Sequence, residues 1–132
     1  DSPTGGSSDP VAVQERQNIR YELLGCSRAT RIIECNFILT NNGADKDFHL
    51  SVSWGDGTYL FDQRGHKFSA NRIRLADVEV TSRGAKKRMI AEIPVEAKIV
   101  FEGVPSAIEF VKVLHITTSD GDIEFRDIRF TK

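Results

Sequence analysis

The chain has 132 residues and a formal net charge of -1, with 39% hydrophobic and 28% charged residues. That length suits one domain rather than two. The near-balanced charge excludes a global field for nucleic acid or anionic lipid, and no apolar run approaches the ~18 residues of a bilayer span.

Residues 1–10, DSPTGGSSDP, are Gly, Ser, Pro, Asp and Thr with no large apolar side chain. Such a segment cannot offset the entropy of ordering and reads as a flexible linker or tether. Residues 11–132 read as a single domain. VAVQERQ (11–17) is ambiguous between helix and strand. From there the apolar pattern is mostly period two. NIRYELLGC (18–26) is a strand, and RIIECNFILT (31–40) is a second, with Ile33, Cys35, Phe37 and Leu39 on one face. DFHLSVSW (47–54) sets Phe48, Leu50, Val52 and Trp54 against His49, Ser51 and Ser53. TYLF, RIRL, VEVT and MIAEI are shorter candidates. VEAKIVFE groups Ala97, Ile99 and Phe101, while AIEFVKVLHI is apolar on both faces, as a central strand is. IEFRDIRF changes phase near Arg126 and Asp127, which predicts a bulge. NNG (41–43), GDG (55–57), RG (64–65) and SDGD (119–122) supply turns. Short strands separated by turns predict an all-β fold, an antiparallel immunoglobulin-like β-sandwich of about 7–9 strands.

Cys26 and Cys35 lie nine positions apart. The spacing is not C-x-x-C, and two cysteines with dispersed histidines (His49, His66, His115) offer little of a four-ligand zinc site. A turn at Ala29 to Ile32 sets Cys26 directly opposite Cys35, within disulfide reach. The expectation is a hairpin staple, formed in an oxidising compartment. The alternative is two reduced thiols packed as small hydrophobes.

NFILTNNGADKDFHL, the D-x-x-G-x-x-aromatic run in YLFDQRGHKFSANRIRL, IPVEAKIVFEGVP and the closing VLHITTSDGDIEFRDIRF follow one another in order. Together, over about residues 18–130, they resemble bacterial secreted and lipoprotein-borne immunoglobulin-like sandwiches of the immunoprotective-extracellular-protein type. The resemblance implies a domain behind a linker outside the cytoplasm, and it carries no catalytic motif to transfer.

No G-x-S-x-G or other nucleophile signature is present, and nothing singles out a pair among the 19 acidic residues. His49 and His115 read as surface histidines opposite apolar faces. Asp45, Asp47, Asp56, Asp120 and Asp122 sit in turn segments where a calcium ion would find carboxylates, and ordinary turn chemistry explains them as well. Arg83, Lys86, Lys87 and Arg88 form the most distinctive surface feature, a contact for an acidic partner or else a charged loop or protected edge. Trp54 is either a core residue or a stacking side chain at a loop mouth. The expected function is a non-catalytic extracytoplasmic module (periplasm, cell surface or secreted). It engages a protein partner of the envelope, with no cofactor and no nucleic acid. The alternative is a ligand-binding sandwich for calcium or carbohydrate.

Overall fold

A computed structural model describes residues 11–52, 57–105 and 107–131. The linker, Trp54 and Asp56 lie outside the described residues. The fold is all-β. Its strands are β1 (Ala12–Arg16), β2 (Ile19–Ala29), β3 (Ile32–Asn41), β4 (Lys46–Ser51), β5 (Tyr59–Asp62), β6 (Lys67–Ser69), β7 (Arg72–Leu75), β8 (Val78–Val80), β9 (Gly84–Met89), β10 (Val95–Glu102), β11 (Phe110–Thr118) and β12 (Gly121–Thr131).

These strands make one continuous sheet in the order β6-β5-β11-β12-β2-β3-β10-β7-β8. β1 pairs with β2, and β4 joins both β11 and β9. Among the described residues all strand pairs but one are antiparallel, and an isolated bridge between Asn41 and Ala91 is also parallel. The end of β12 runs parallel to β2, with Phe130 opposite Cys26 and Thr131 opposite Ser27. The sheet is therefore mixed, not purely antiparallel, and its twelve strands exceed the expected 7–9. The extra count comes from residues 12–16, 67–69 and 84–89, which pair although they are short or charged.

The sheet curls so that its two halves face each other. Phe37 of β3 meets Phe125 of β12 with ring centroids 5.8 Å apart, and Tyr21 of β2 meets Phe48 of β4 at 6.2 Å. Ile33, Cys35, Phe37 and Leu39 all point into this core, as do Phe48, Leu50, Val52, Ala97, Ile99 and Phe101. Burial pushes the Tyr21 phenol up to about 12, so it stays neutral there at physiological pH. β11 is central, flanked by β5 and β12.

Three expectations are refined or corrected. Ser51, placed on the face opposite Phe48, Leu50 and Val52, is fully buried too, and its carbonyl accepts the Thr58 hydroxyl at 2.6 Å. MIAEI is not a strand: Met89 ends β9, and Asn41 organises the connection that follows. The Asn41 carbonyl accepts the Glu92 N–H at 2.7 Å, and its Nδ2 donates to Met89 O at 3.1 Å. The phase change in β12 is present, with Phe125 and Ile128 both buried and Asp127 at φ 54°. It does not shift the register with β11, because β11 changes phase at the facing Lys112, whose ammonium lies 3.0 Å from Asp127.

The β5–β6 hairpin closes on Asp62. Its Oδ1 accepts the N–H groups of Arg64 and His66, both at 2.8 Å, and Oδ2 faces His66 Nδ1 at 3.3 Å. Gly65, at φ 83°, supplies the left-handed residue this turn needs. Removal from water raises the Asp62 carboxyl pKa, but the His66 and Arg64 N–H donors and the His66 ring outweigh it and hold the group below its usual value. A lowered folded pKa adds stability above the unfolded value of ~3.9, and that stability is lost as pH falls through the folded pKa. Asp62→Ala is expected to cost on the order of 1–2 kcal/mol in urea unfolding at neutral pH. The gap to wild type should close as pH drops below about 4. A gap unchanged by acid would contradict this role.

Candidate functional site

The turn at Gln17 and Asn18 builds a largely exposed strand edge. Both residues have positive φ (53° and 66°), the backbone of a two-residue hairpin turn that suits the right-handed strand twist. It folds β1 back on β2 with Arg16 opposite Ile19. Hydrogen-bonded and non-hydrogen-bonded pairs alternate from there. The backbone groups of Gln14 turn toward β2, and those of Val13 and Glu15 turn outward. Among the described residues β1 pairs with no other strand, so this outward edge is open. Val11 is 57% exposed and Val13 40% exposed beside it.

β12 has an open edge of its own before it reaches β2 at Phe130. A groove of about 440 Å³ lies between it and β1, lined by Gln14, Glu15, Arg16, His115, Asp122, Ile123 and Glu124. Gly121 has φ 110°, and the Arg16 guanidinium occupies the space a side chain there would take. His115 is more deeply seated than a surface histidine, its side chain only 12% exposed. Its ring stacks on Tyr59 at 4.7 Å and 9°, Nε2 lies 3.1 Å from Asp122, and Nδ1 lies 3.7 Å from Glu124. Lys67 sits 4.4 Å from the Tyr59 ring centre. Carboxylate, imidazole, phenol and ammonium thus form one row across β12, β11, β5 and β6. The signal was in the SDGD turn: with Thr118 opposite Gly121, Glu124 must face His115.

The predicted site residues fall elsewhere. Cys26 and Cys35 are disulfide-bonded, with Cα atoms 4.0 Å apart in facing register on β2 and β3. Arg83 precedes β9, while Lys86, Lys87 and Arg88 lie on it. β9 is an edge strand paired only with β4 among the described residues. Its charges are answered locally. Asp47 lies 4.0 Å from Lys86 and 3.6 Å from Arg88, and Asp77 lies 3.1 Å from Lys87. The Lys87 hydrogen bond is the main reason the Asp77 carboxyl sits below its usual range. The aspartates do not converge. Asp45 accepts the Ala91 N–H at 2.8 Å, Asp120 pairs with Lys46 at 2.7 Å, and Asp122 faces His115. Among the described residues no three His, Cys, Asp or Glu side chains are placed to hold a metal ion. No helix among them is long and apolar enough to cross a membrane.

Comparison with protein-family models, with curated proteins and with solved structures gave no match to this chain.

Proposed function

We propose that this chain is a non-catalytic extracytoplasmic interaction module that takes an extended segment of a protein partner along β1. The open β1 edge carries the reading. Outward N–H and C=O groups at Val13 and Glu15 give a second strand its hydrogen bonds, and the exposed Val11 and Val13 give it apolar contact. Val13 and Glu15 share one face of β1, so the partner segment carries an apolar residue beside Val13 and a basic one beside Glu15. The buried Cys26–Cys35 disulfide supports a place outside the cytoplasm, where such bonds persist. The immunoglobulin-like sandwich reading, and the likeness to the immunoprotective extracellular type, draw support from the curled two-sided core and from the Asp62-Gly65-Phe68 hairpin. They remain part of this proposal.

The test is capture of a partner from an envelope extract by wild type and by Val13→Pro. Proline at Val13 removes an N–H that β2 does not use, so the fold should survive. The expected result is loss of the captured band with Val13→Pro and its retention with Lys86→Glu/Arg88→Glu, because the Lys86 and Arg88 charges are already engaged by Asp47. Capture that ignores Val13→Pro but falls with the β9 variant overturns the assignment and moves the interface to β9.

A further inference from the structure

The outward face of the opposite half sets two cations side by side with only partial relief from carboxylates. Lys98 on β10 is directly opposite Arg74 on β7, and both project away from the core. Like charges in facing positions destabilise a sheet. Lys98 has partial relief from Glu34 at 3.8 Å. Arg74 has no carboxylate within ion-pair distance among the described residues, and its relief is longer-range, from Asp77, whose carboxyl its charge helps to hold down, and from Glu79, which faces it in register on β8. Its Nε donates to Ala76 O at 3.0 Å, which fixes the stem and leaves the terminal nitrogens of the guanidinium without a hydrogen-bond acceptor among those residues.

Arg74 and Lys98 both line a recess of about 320 Å³, at the small end of the range for ligand sites. Leu24, Ile38 and Ala76 give it an apolar wall, Asn36 a neutral polar group and Glu96 its one carboxylate. A simple anion would satisfy the two cations but meet Glu96. A simple cation would meet Arg74 and Lys98.

We infer that this recess binds a small zwitterion with an apolar body, the chemistry of a free aliphatic amino acid. Its carboxylate lies on Arg74 and Lys98, where a guanidinium offers a two-pronged contact. Its ammonium lies on Glu96, and its side chain covers Leu24, Ile38 and Ala76. This site is separate from the β1 edge and does not depend on the function proposed there.

The test titrates the full chain with leucine, N-acetylleucine and leucinamide, following backbone amide shifts by NMR. Leucine is expected to move amides of β3, β7 and β10 and of Leu24 on β2, with both analogues at least about tenfold weaker because each lacks one charge. Arg74→Gln should weaken leucine by a similar factor, and Glu96→Gln should abolish the preference for leucine over N-acetylleucine. Both side chains are at the surface, so the variants should fold, and an unchanged amide spectrum elsewhere checks this. Equal binding of all three compounds, shifts centred on other strands, or no shift at about 10 mM leucine overturns the assignment.

Discussion

Replacing both Cys26 and Cys35 by alanine is expected to lower stability by about 2.5–3 kcal/mol. The bridge closes a short loop, and the chain-entropy account gives this figure for about ten residues. A hairpin whose turn is Thr30 and Arg31 makes the pair a non-hydrogen-bonded one, three steps from the closing Ala29–Ile32 pair. That is the closer of the two antiparallel spacings, at ~4.5 Å between Cα atoms. The observed 4.0 Å lies near it. Both cysteines are fully buried, so alanine also leaves a small void beside Ile33 and Phe37. In thermal unfolding the loss should be on the order of 10 °C for a domain of this size. Reductant should reproduce the loss in wild type and leave the double variant unmoved. A double variant as stable as wild type would mean that the bridge holds nothing the strand pairing does not already hold.

Phe125→Ala is expected to cost more, about 3–5 kcal/mol. Phe125 is 2% exposed, pairs with Leu114 within its own half and packs on Phe37 of the other. It therefore acts on the closure of the curled sheet as well as on local packing. Among the described residues β12 meets β2 directly at two positions, Phe130 and Thr131, so side-chain contact carries most of that closure. A double-mutant cycle with Phe37→Ala isolates the contact, with an expected coupling of about 0.5–1.5 kcal/mol. Strict additivity would place the two rings in separate packing units and argue against the curled arrangement.

The period-two stretches of the sequence map directly onto the core. Wherever one face of a strand is buried and the other is wet, the alternation of side chains must show, as in Ile33-Cys35-Phe37-Leu39 and Ala97-Ile99-Phe101. The cysteine pairing was legible for the same reason, because a short turn fixes the register of every residue behind it. Parallel pairing of β12 with β2 was not legible, since it depends on where two strands distant in sequence meet. β1 was hidden by its turn: Gln17 and Asn18 adopt positive φ without the glycine that usually announces it. The basic segment 83–88 stood out by composition, but Asp47 and Asp77, which answer its charges, lie elsewhere in sequence. His115 was passed over because alternation gives the face of a side chain and not the company it keeps there. Its depth comes from Tyr59 on a neighbouring strand.

The central claim is that the outward backbone of β1 is an open strand edge. Amide hydrogen exchange of the free protein measures it residue by residue. Gln14, bonded to β2, should exchange slowly, while Val13 and Glu15 exchange near the rate of an unstructured chain. Addition of a captured partner should then slow Val13 and Glu15 alone within β1. Slow exchange at Val13 and Glu15 in the free protein would show that the edge is already occupied and would contradict the account.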